Sequence, residues 1–240
     1  MDPQLSPLFE ATTSLFAGAG RYAWHFARGK LRHDPVFFAL LMCGLFPDRG
    51  RLLDLGCGQG ILLALLVAAK EQFQRGHWPQ SWPPPPLNLG MRGIEMRKDQ
   101  VEAARLALGS RAQVDRFDIR DVELQPCSVI ALLDVLHYLN WVEQDRLLEK
   151  AANALDPGGL LLLREADASA GLAFRITRWC ERLAGAGRGL LWQELCYRGA
   201  SRWIATLQGL GFSVRAEPMS RGTPFANVLF VARRPSVCSP

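Results

Sequence analysis

The chain has 240 residues, of which 49% are hydrophobic and 21% charged, a composition typical of a globular protein. Its length suits one large α/β domain. The longest apolar run, over residues 35–46, is shorter than the roughly 20 residues that span a bilayer. The first residues lack the positive region that opens a secretory signal. We therefore expect a cytoplasmic protein without a transmembrane segment.

The net charge of +5 reflects an excess of arginine that is dispersed along the chain. Nucleic-acid-binding proteins carry clustered basic patches instead, so we expect no nucleic-acid partner. The six cysteines lack the spacing of a metal site, and a reducing compartment normally keeps such thiols free. They are Cys43, Cys57, Cys127, Cys180, Cys196 and Cys238. We expect no metal.

Helices come first, and a regular alternation of strands and helices follows them. Apolar residues recur at helical spacing over residues 8–46, with Asp34 and Pro35 placed to begin the last of these helices. Short apolar strands are predicted at 51–55, 91–96, 113–117, 128–133 and 160–163, with helices at 61–73, 99–108 and 142–155. Nearly continuous apolar strands that alternate with helices indicate a parallel sheet covered on both faces.

Three segments depart from this alternation. Residues 77–88 contain two tryptophans and four consecutive prolines, which predicts an inserted surface loop that cannot join a sheet. The run Asp-Pro-Gly-Gly at 156–159 is predicted to end a helix. Residues 171–193 form a predicted helical lid with an apolar face and a basic face. The apolar face holds Leu172, Ile176, Trp179 and Leu183, and the basic face holds Arg175, Arg178 and Arg182.

The end of the chain predicts a reversal in the sheet. A helix at 201–210 precedes two strands at 212–217 and 228–232, and the short link between these strands implies antiparallel pairing. We therefore predict a single domain. It comprises an N-terminal helical cap at 1–47, a core at 48–165, a helical lid at 166–198, and a C-terminal helix with two strands at 199–240.

The clearest chemical motif is the glycine-rich turn after the first strand. There Asp54 is followed by three glycines at alternate positions, which let the backbone approach a nucleotide closely. Glu95, at the end of the second strand, is placed to accept hydrogen bonds from ribose hydroxyls. Asp118 and Ile119 can together read the edge of an adenine, although an ordinary turn would use the same residues. These features favour a nucleotide-containing cofactor.

The glycine turn, Glu95 and the Asp118-Ile119 pair resemble, in this order, the motifs of class I S-adenosylmethionine-dependent methyltransferases. The resemblance covers residues 50–165. The closing helix and strands resemble that family's reversed last strand. The resemblance implies a Rossmann-like α/β fold, with a mostly parallel sheet, and S-adenosyl-L-methionine as cofactor. Its implied cofactor-binding residues, together with two that their positions favour (Asp134 after the fourth strand and Lys30 in the cap), are Lys30, Asp54, Gly56, Cys57, Gly58, Gly60, Glu95, Met96, Asp118, Ile119 and Asp134.

The implied roles differ along the cofactor. The glycine turn lines the methionine part, and Asp54 supports the turn and the methionyl amine. Met96 packs on the adenine. Lys30 is a candidate for the cofactor carboxylate or an anionic substrate, with a solvated basic face as the alternative. A dinucleotide fingerprint has glycine at the position of Ile61, so an NAD-linked oxidoreductase is the weaker interpretation.

His137, after the fourth strand, is the candidate general base, and a supporting pocket residue is the alternative. The substrate-binding candidates are Tyr138, Trp179, Tyr197 and Thr223. We expect the acceptor to be a small aromatic or acyl-carrier-linked metabolite that is methylated on oxygen or carbon. The chain ends also resemble bacterial methyltransferases of aryl-polyene pathways. The basic amphipathic helix permits peripheral membrane contact. A cofactor-binding protein without catalysis is the remaining alternative.

Overall fold

The computed structural model describes residues 3–186 and 194–236. The strands in these residues are β1 (Arg49–Leu55), β2 (Asn88–Glu95), β3 (Gln113–Arg116), β4 (Cys127–Leu133), β5 (Leu155–Ala166), β6 (Ser213–Pro218) and β7 (Asn227–Arg233). The helices are α1 (Ser6–Ser14), α2 (Arg21–His33), α3 (Val36–Met42), α4 (Ile61–Gln74), α5 (Lys98–Leu108), α6 (Trp141–Ala154), α7 (Leu172–Ala186) and α8 (Ala200–Gly209). The strands form one sheet in the order β3-β2-β1-β4-β5-β7-β6. This is the predicted Rossmann-like class I methyltransferase fold.

The residues cluster in two compact units. The first contains residues 1–123 and 127–129, and the second contains residues 124–126 and 130–240. The predicted single domain, with its cap, core and lid, stays a prediction.

In the first unit, three parallel strands end in the loops that contain the predicted cofactor-binding residues. β1 pairs with β2, and β2 pairs with β3, all in parallel. The helix α4 follows β1 and is buried over its first nine residues, 61–69. A helix that is apolar all round belongs in a protein interior, because it has no face suited to water. The carboxyl ends of these strands therefore lie beside a closely packed part of the interior.

The proline-rich segment is a packed loop. The Trp78 and Trp82 rings meet edge to face with centroids 5.2 Å apart, and the Trp78 Nε1–H donates to the Pro83 carbonyl. Asp48 accepts hydrogen bonds from the backbone N–H of Leu87 and the side chain of Asn88. The sheet resumes at Asn88, three residues before the predicted start of β2 at residue 91.

In the second unit, β7 lies between β5 and β6 and is antiparallel to both. The predicted reversal at the end of the chain is therefore confirmed. The helix before residues 156–159 ends at Ala154, one residue before its predicted end, but the strand begins earlier than predicted, because β5 starts at Leu155 and includes this run. Gly158 N–H donates to the Pro235 carbonyl, and Arg234 N–H donates to the Gly159 carbonyl. This pairing with the end of the chain extends the strand.

The helix α7 begins the predicted lid, and residues 187–193 of that lid lie outside the described residues. No helix among the described residues is long and apolar enough to cross a membrane. Within the same residues, no disulfide joins the five described cysteines, and no cluster of side chains suits a metal ion. Cys238 falls outside them.

Candidate functional site

The glycine loop, residues 56–60, is attached to the end of the neighbouring strand. The backbone N–H groups of Gly56 and Cys57 both donate to the Ile94 carbonyl, at 2.8 and 3.1 Å. Gly56, Gly58 and Gly60 have φ values of 75°, 55° and 77°. This left-handed backbone is costly for residues with a Cβ, so the three glycines are what allow the loop to turn here.

Gly60 is also required for packing. A Cβ at this position would lie 3.0 Å from Leu108 Cδ1, and Leu108 is fully buried. Gly76 has a similar φ of 75°, but a Cβ there would meet nothing within 4 Å.

We therefore expect Gly60→Ala to destabilise the protein more than Gly76→Ala. The strained backbone costs about 1 kcal/mol in both variants. Overpacking against Leu108 adds about 1–3 kcal/mol in Gly60→Ala alone. Urea unfolding of both variants measures the difference, and equal midpoints would contradict this account of the loop.

Glu95 joins the glycine loop to the end of β2. Its Oε2 accepts the Gly58 N–H at 3.1 Å, and its Oε1 accepts the Arg97 N–H at 2.8 Å. An ionised carboxylate has about four acceptor positions, so these two bonds leave acceptor capacity on both oxygens. The next side chain, Met96, is 58% exposed. Glu95 thus provides a fixed acceptor, and Met96 an accessible apolar surface beside it.

Asp54, at the end of β1, is almost completely buried. Burial, reinforced by the charge of Glu95, raises the pKa of Asp54 from its ordinary 3.8 to about 7. A cationic group placed beside Asp54 would favour the ionised carboxylate. The buried Asp54 is therefore suited to hold an ammonium group.

Asp118 follows β3 and forms a turn. Its carboxylate accepts hydrogen bonds from the Arg120 backbone N–H and guanidinium. The Arg120 guanidinium lowers the pKa of Asp118, which keeps the carboxylate ionised and able only to accept hydrogen bonds. Ile119, beside it, is buried. The structure thus shows an ordinary turn at the two residues, Asp118 and Ile119, that are predicted to bind the adenine edge.

Gln59 connects the loop to the N-terminal helices. Its Nε2 donates to the Ala23 carbonyl of α2 at 2.9 Å, and the side chain is 1% exposed. Sequence reasoning missed Gln59, because the glycine motif specifies no residue type at the position between Gly58 and Gly60. Lys30, predicted to meet a carboxylate of the cofactor or substrate, lies near the end of α2. Its Nζ is 3.1 Å from Asp34 Oδ2.

In the second unit, Asp134 has a left-handed backbone, with φ of 58°. Its carboxylate pairs with the guanidinium of Arg164 on β5, with Nε 2.8 Å from Oδ1. Arg164 is 1% exposed. A buried arginine requires an anionic partner, so this pair fixes the turn that follows β4.

His137 lies in that turn, and Glu165 on β5 holds it. His137 Nδ1 is 2.8 Å from Glu165 Oε2, while Glu165 Oε1 accepts the Leu136 N–H at 2.7 Å. His137 is 3% exposed and Glu165 1%. Burial acts to lower the pKa of His137, but the neighbouring carboxylates, chiefly Glu165, outweigh it and raise the pKa. His137 Nε2 is buried with no hydrogen-bond partner among the described residues.

Aromatic rings surround His137. The Tyr197 ring stacks on it at 5.0 Å and 12°, and the Tyr138 ring lies 4.2 Å away. The Tyr197 hydroxyl is also buried without a hydrogen-bond partner in the described part of the chain, whereas the Tyr138 hydroxyl donates to Glu181. We call His137, Glu165, Tyr138 and Tyr197 the histidine cluster. Its two buried polar atoms without a partner in the described residues are able to form hydrogen bonds to a ligand.

Backbone contacts position Tyr197. The Cys196 N–H donates to the His137 carbonyl at 2.8 Å. The buried Gln144 side chain donates to the carbonyls of Leu136 and Cys196, at 3.0 and 2.8 Å. Gln144 therefore holds the segment around residue 196 against the turn that carries His137.

The other two predicted substrate residues lie apart from these contacts. Trp179, on α7, is 64% exposed. The Thr223 hydroxyl donates to the Ser220 carbonyl within the link between β6 and β7. The structure thus brings together Tyr138, Tyr197 and His137, while the roles of Trp179 and Thr223 stay predictions.

Arg164 and Glu165 were missed because the predicted fifth strand ended at residue 163. Both are charged residues directly after a continuous apolar run. Charged side chains at the carboxyl end of a buried strand are a signal of a ligand-facing position, and this signal was available in the sequence.

Comparison with known proteins identifies relatives. A family model described as a methyltransferase domain matches residues 23–217. The carboxy-S-adenosyl-L-methionine synthase of Chromohalobacter salexigens is 28% identical over 134 residues, which cover 52% of this chain and 44% of that protein. The chain therefore spans less than half the length of this curated relative.

Solved structures are similar over more of the chain. An O-methyltransferase family protein from Burkholderia thailandensis has a TM-score of 0.62 and 17% identity, and the match covers 90% of this chain and 59% of that one. An O-methyltransferase family 2 protein from Planctomyces limnophilus, in complex with apigenin, has a TM-score of 0.61 and 18% identity, with 98% and 62% covered. At these identities the likeness establishes the fold.

Proposed function

The chain belongs to the methyltransferase-domain family, and from that premise we propose that it methylates a hydroxyl group of a small aromatic molecule. S-adenosyl-L-methionine is the cofactor of this class I fold. The observation that carries the proposal is the buried histidine cluster, where Glu165 binds one nitrogen of His137 and leaves Nε2 directed elsewhere. Family membership also favours S-adenosylmethionine over NAD.

The first unit has the features that this cofactor requires. Bound S-adenosylmethionine supplies an electrophilic methyl group on a sulfonium sulfur. We assign the methionine part to the backbone of Gly56, Cys57, Gly58 and Gly60, whose left-handed glycines permit close approach. Asp54 is assigned to the amine, because the ammonium group would relieve the burial of its charge.

The nucleoside part requires acceptors and an apolar surface. Glu95 retains acceptor capacity for the ribose hydroxyls. Met96 is exposed for packing on the adenine, and Asp118 is held ionised to accept from the adenine amino group, with Ile119 beside it. The cofactor carboxylate is assigned to Lys30. Asp134 stays a proposed cofactor-binding residue, with its carboxylate held by the pair with Arg164.

His137 is proposed as the general base for the acceptor. His137 Nε2 would take the proton of the acceptor hydroxyl, and the acceptor oxygen would receive the methyl group that bound S-adenosylmethionine supplies. Glu165 fixes the ring so that Nδ1 carries a hydrogen and Nε2 is the accepting nitrogen. Tyr197 and Tyr138 provide the aromatic walls. The apigenin bound by the Planctomyces limnophilus neighbour is a hydroxylated aromatic molecule, which supports this choice of acceptor.

The cofactor assignment is tested by calorimetry with S-adenosylmethionine and with NAD. We expect S-adenosylmethionine to bind and NAD not to bind. Glu95→Gln should weaken S-adenosylmethionine binding roughly 10- to 100-fold, since a hydrogen bond to a charged group contributes about 1.5–3 kcal/mol. Glu102→Gln removes an exposed carboxylate from α5 and serves as the matched control. Equal affinities for the two variants would refute the ribose assignment.

Acceptor chemistry is tested separately with S-adenosylmethionine labelled in its methyl group. The acceptors are phenols, free or attached as acyl thioesters to a carrier protein. We expect label on a phenolic oxygen. Cofactor binding without transfer to any of these acceptors would favour a cofactor-binding protein without catalysis, and transfer to the thioester form alone would identify the carrier-bound acceptor.

A further inference from the structure

The helix α7 exposes a row of large apolar side chains. Leu172 is 69% exposed, Trp179 64% and Leu183 54%. At 3.6 residues per turn, their spacings of seven and four place them within one narrow stripe along the helix. They are three of the four residues of the predicted apolar face, and the fourth, Ile176, is half-buried. The three exposed side chains face away from the protein.

Three arginines follow the same exposed side. Arg175, Arg178 and Arg182 are all exposed. None of the three guanidinium groups pairs with a carboxylate anywhere in the described ranges, whereas other arginines of the chain form close ion pairs, such as Arg92 with Asp115 at 2.7 Å. The basic stripe is therefore adjacent to the apolar stripe and available for an anionic surface.

Contacts on the opposite side of α7 fix this orientation. The Phe174 ring meets Tyr197 edge to face at 5.1 Å, and the Glu181 carboxylate accepts the Tyr138 hydroxyl. Thr177 is buried and its Oγ1 accepts the Ala226 N–H at 3.0 Å. The helix is held by these residues, so the apolar and basic stripes remain on its outer side.

We propose that α7 docks on an anionic lipid surface, with the leucines and the tryptophan inserted among the acyl chains and the arginines at the headgroups. A helix with leucine and tryptophan on one face and arginines beside it is the pattern of an interfacial helix. Guanidinium groups with long apolar stems reach phosphates from a partly inserted helix. Even if each of the three side chains buried as much as a large aromatic residue, about 150–250 Å², the total would stay below the roughly 800 Å² per partner in a stable protein interface. The small area therefore favours lipid over a second copy or an acidic protein, and the arginines favour an anionic lipid over a neutral one.

Flotation of the full chain with vesicles tests the proposal. We expect binding to vesicles of equal parts phosphatidylcholine and phosphatidylglycerol, weaker binding as salt rises, and little binding to phosphatidylcholine alone. The triple variant Arg175→Gln/Arg178→Gln/Arg182→Gln should bind on the order of 100-fold more weakly. Leu172→Ser/Leu183→Ser should also lower binding at every salt concentration, because it removes apolar insertion.

The control is Arg49→Gln/Arg202→Gln/Arg221→Gln, which changes the net charge equally at exposed positions outside α7. It should retain most of the binding, and circular dichroism checks the folding of every variant. Equal loss in both arginine triples would overturn the proposal. Two other results would also overturn it, each in the absence of vesicle binding. One is a concentration-dependent dimer that Leu172→Ser/Leu183→Ser abolishes. The other is binding to polyglutamate that depends on the three arginines.

Discussion

Asp54→Asn is expected to stabilise the folded protein and, at the same time, to weaken its binding of S-adenosylmethionine. The folded state binds a proton at Asp54 with a pKa of about 7, against 3.8 ordinarily. A carboxyl group whose pKa is raised on folding destabilises the folded state as pH rises between these two values, and the full penalty is present above the upper one. The difference corresponds to about 4 kcal/mol at most. Asparagine has no such penalty.

Urea unfolding at a series of pH values measures this effect. The gain in free energy of unfolding should be absent below about pH 4 and should grow to its maximum above about pH 7. Asp121→Asn, at an exposed position, should show no comparable gain. A gain that is independent of pH would contradict the assignment of a raised pKa to Asp54.

Cofactor binding should change in the opposite direction. Asparagine cannot provide the negative charge for an ammonium group, so S-adenosylmethionine should bind roughly 10- to 100-fold more weakly to Asp54→Asn. In the unmodified protein the affinity should rise with pH up to about 7, as Asp54 becomes ionised without assistance. Calorimetry over this range measures both effects, and an affinity that does not change with pH would contradict the contact between Asp54 and the amine.

The predictable parts of this fold are those set by local sequence. Strand β1 was predicted at 51–55 and spans Arg49–Leu55, and α4 was predicted at 61–73 and spans Ile61–Gln74. Apolar periodicity and glycine turns determine such elements, because the signal lies within the segment itself. The glycine loop and Glu95 were predictable for the same reason: the loop directly follows β1, and Glu95 is the last residue of β2.

The parts that escaped prediction depend on distant residues. Residues 156–159 belong to β5 because they pair with residues 234 and 235, far along the chain. Gln59 matters because Ala23 of α2 accepts its hydrogen bond. Likewise, amphipathic patterning located the apolar face of α7, but only the contacts of Phe174, Thr177 and Glu181 show which side of the helix packs against the protein.

The histidine cluster depends both on a local sequence signal and on a contact with a distant residue. The position of His137 after the fourth strand predicted a ligand-facing residue. Its partner Glu165 is 28 residues further along the chain and becomes a neighbour only through the order of strands. Sequence patterning therefore identified the candidate base but not the neighbouring carboxylate, which raises its pKa.

Glu165→Gln is expected to reduce methyl transfer about 10²- to 10³-fold with little effect on cofactor affinity. Glutamine has nearly the same shape but no charge, so neither the pKa nor the tautomer of His137 is held as in the unmodified protein. The largest opposition to burial is then gone, since only the weaker charges of Glu181 and Asp134 still raise the pKa of His137, and that pKa falls. The acid limb of the rate profile, which reports deprotonation of the base, should therefore move to lower pH.

The free energy of unfolding of Glu165→Gln is a second measurement, and the direction of its pH dependence follows from the raised pKa of His137. A histidine whose pKa rises on folding contributes stability that is fully present below its unfolded value of about 6.5 and is lost as pH rises through the folded value. Glu165→Gln should thus cost the most stability in mild acid, about 1–3 kcal/mol, and less in alkaline solution.

Glu149→Gln, at an exposed position of α6, is the control and should change neither property. An NMR titration of the His137 ring, assigned through His137→Gln, reports the pKa directly. If Glu165→Gln lowers the rate but leaves the acid limb and the NMR titration where they are, Glu165 serves packing alone. A shift of both to lower pH identifies Glu165 as the group that positions and tunes the base.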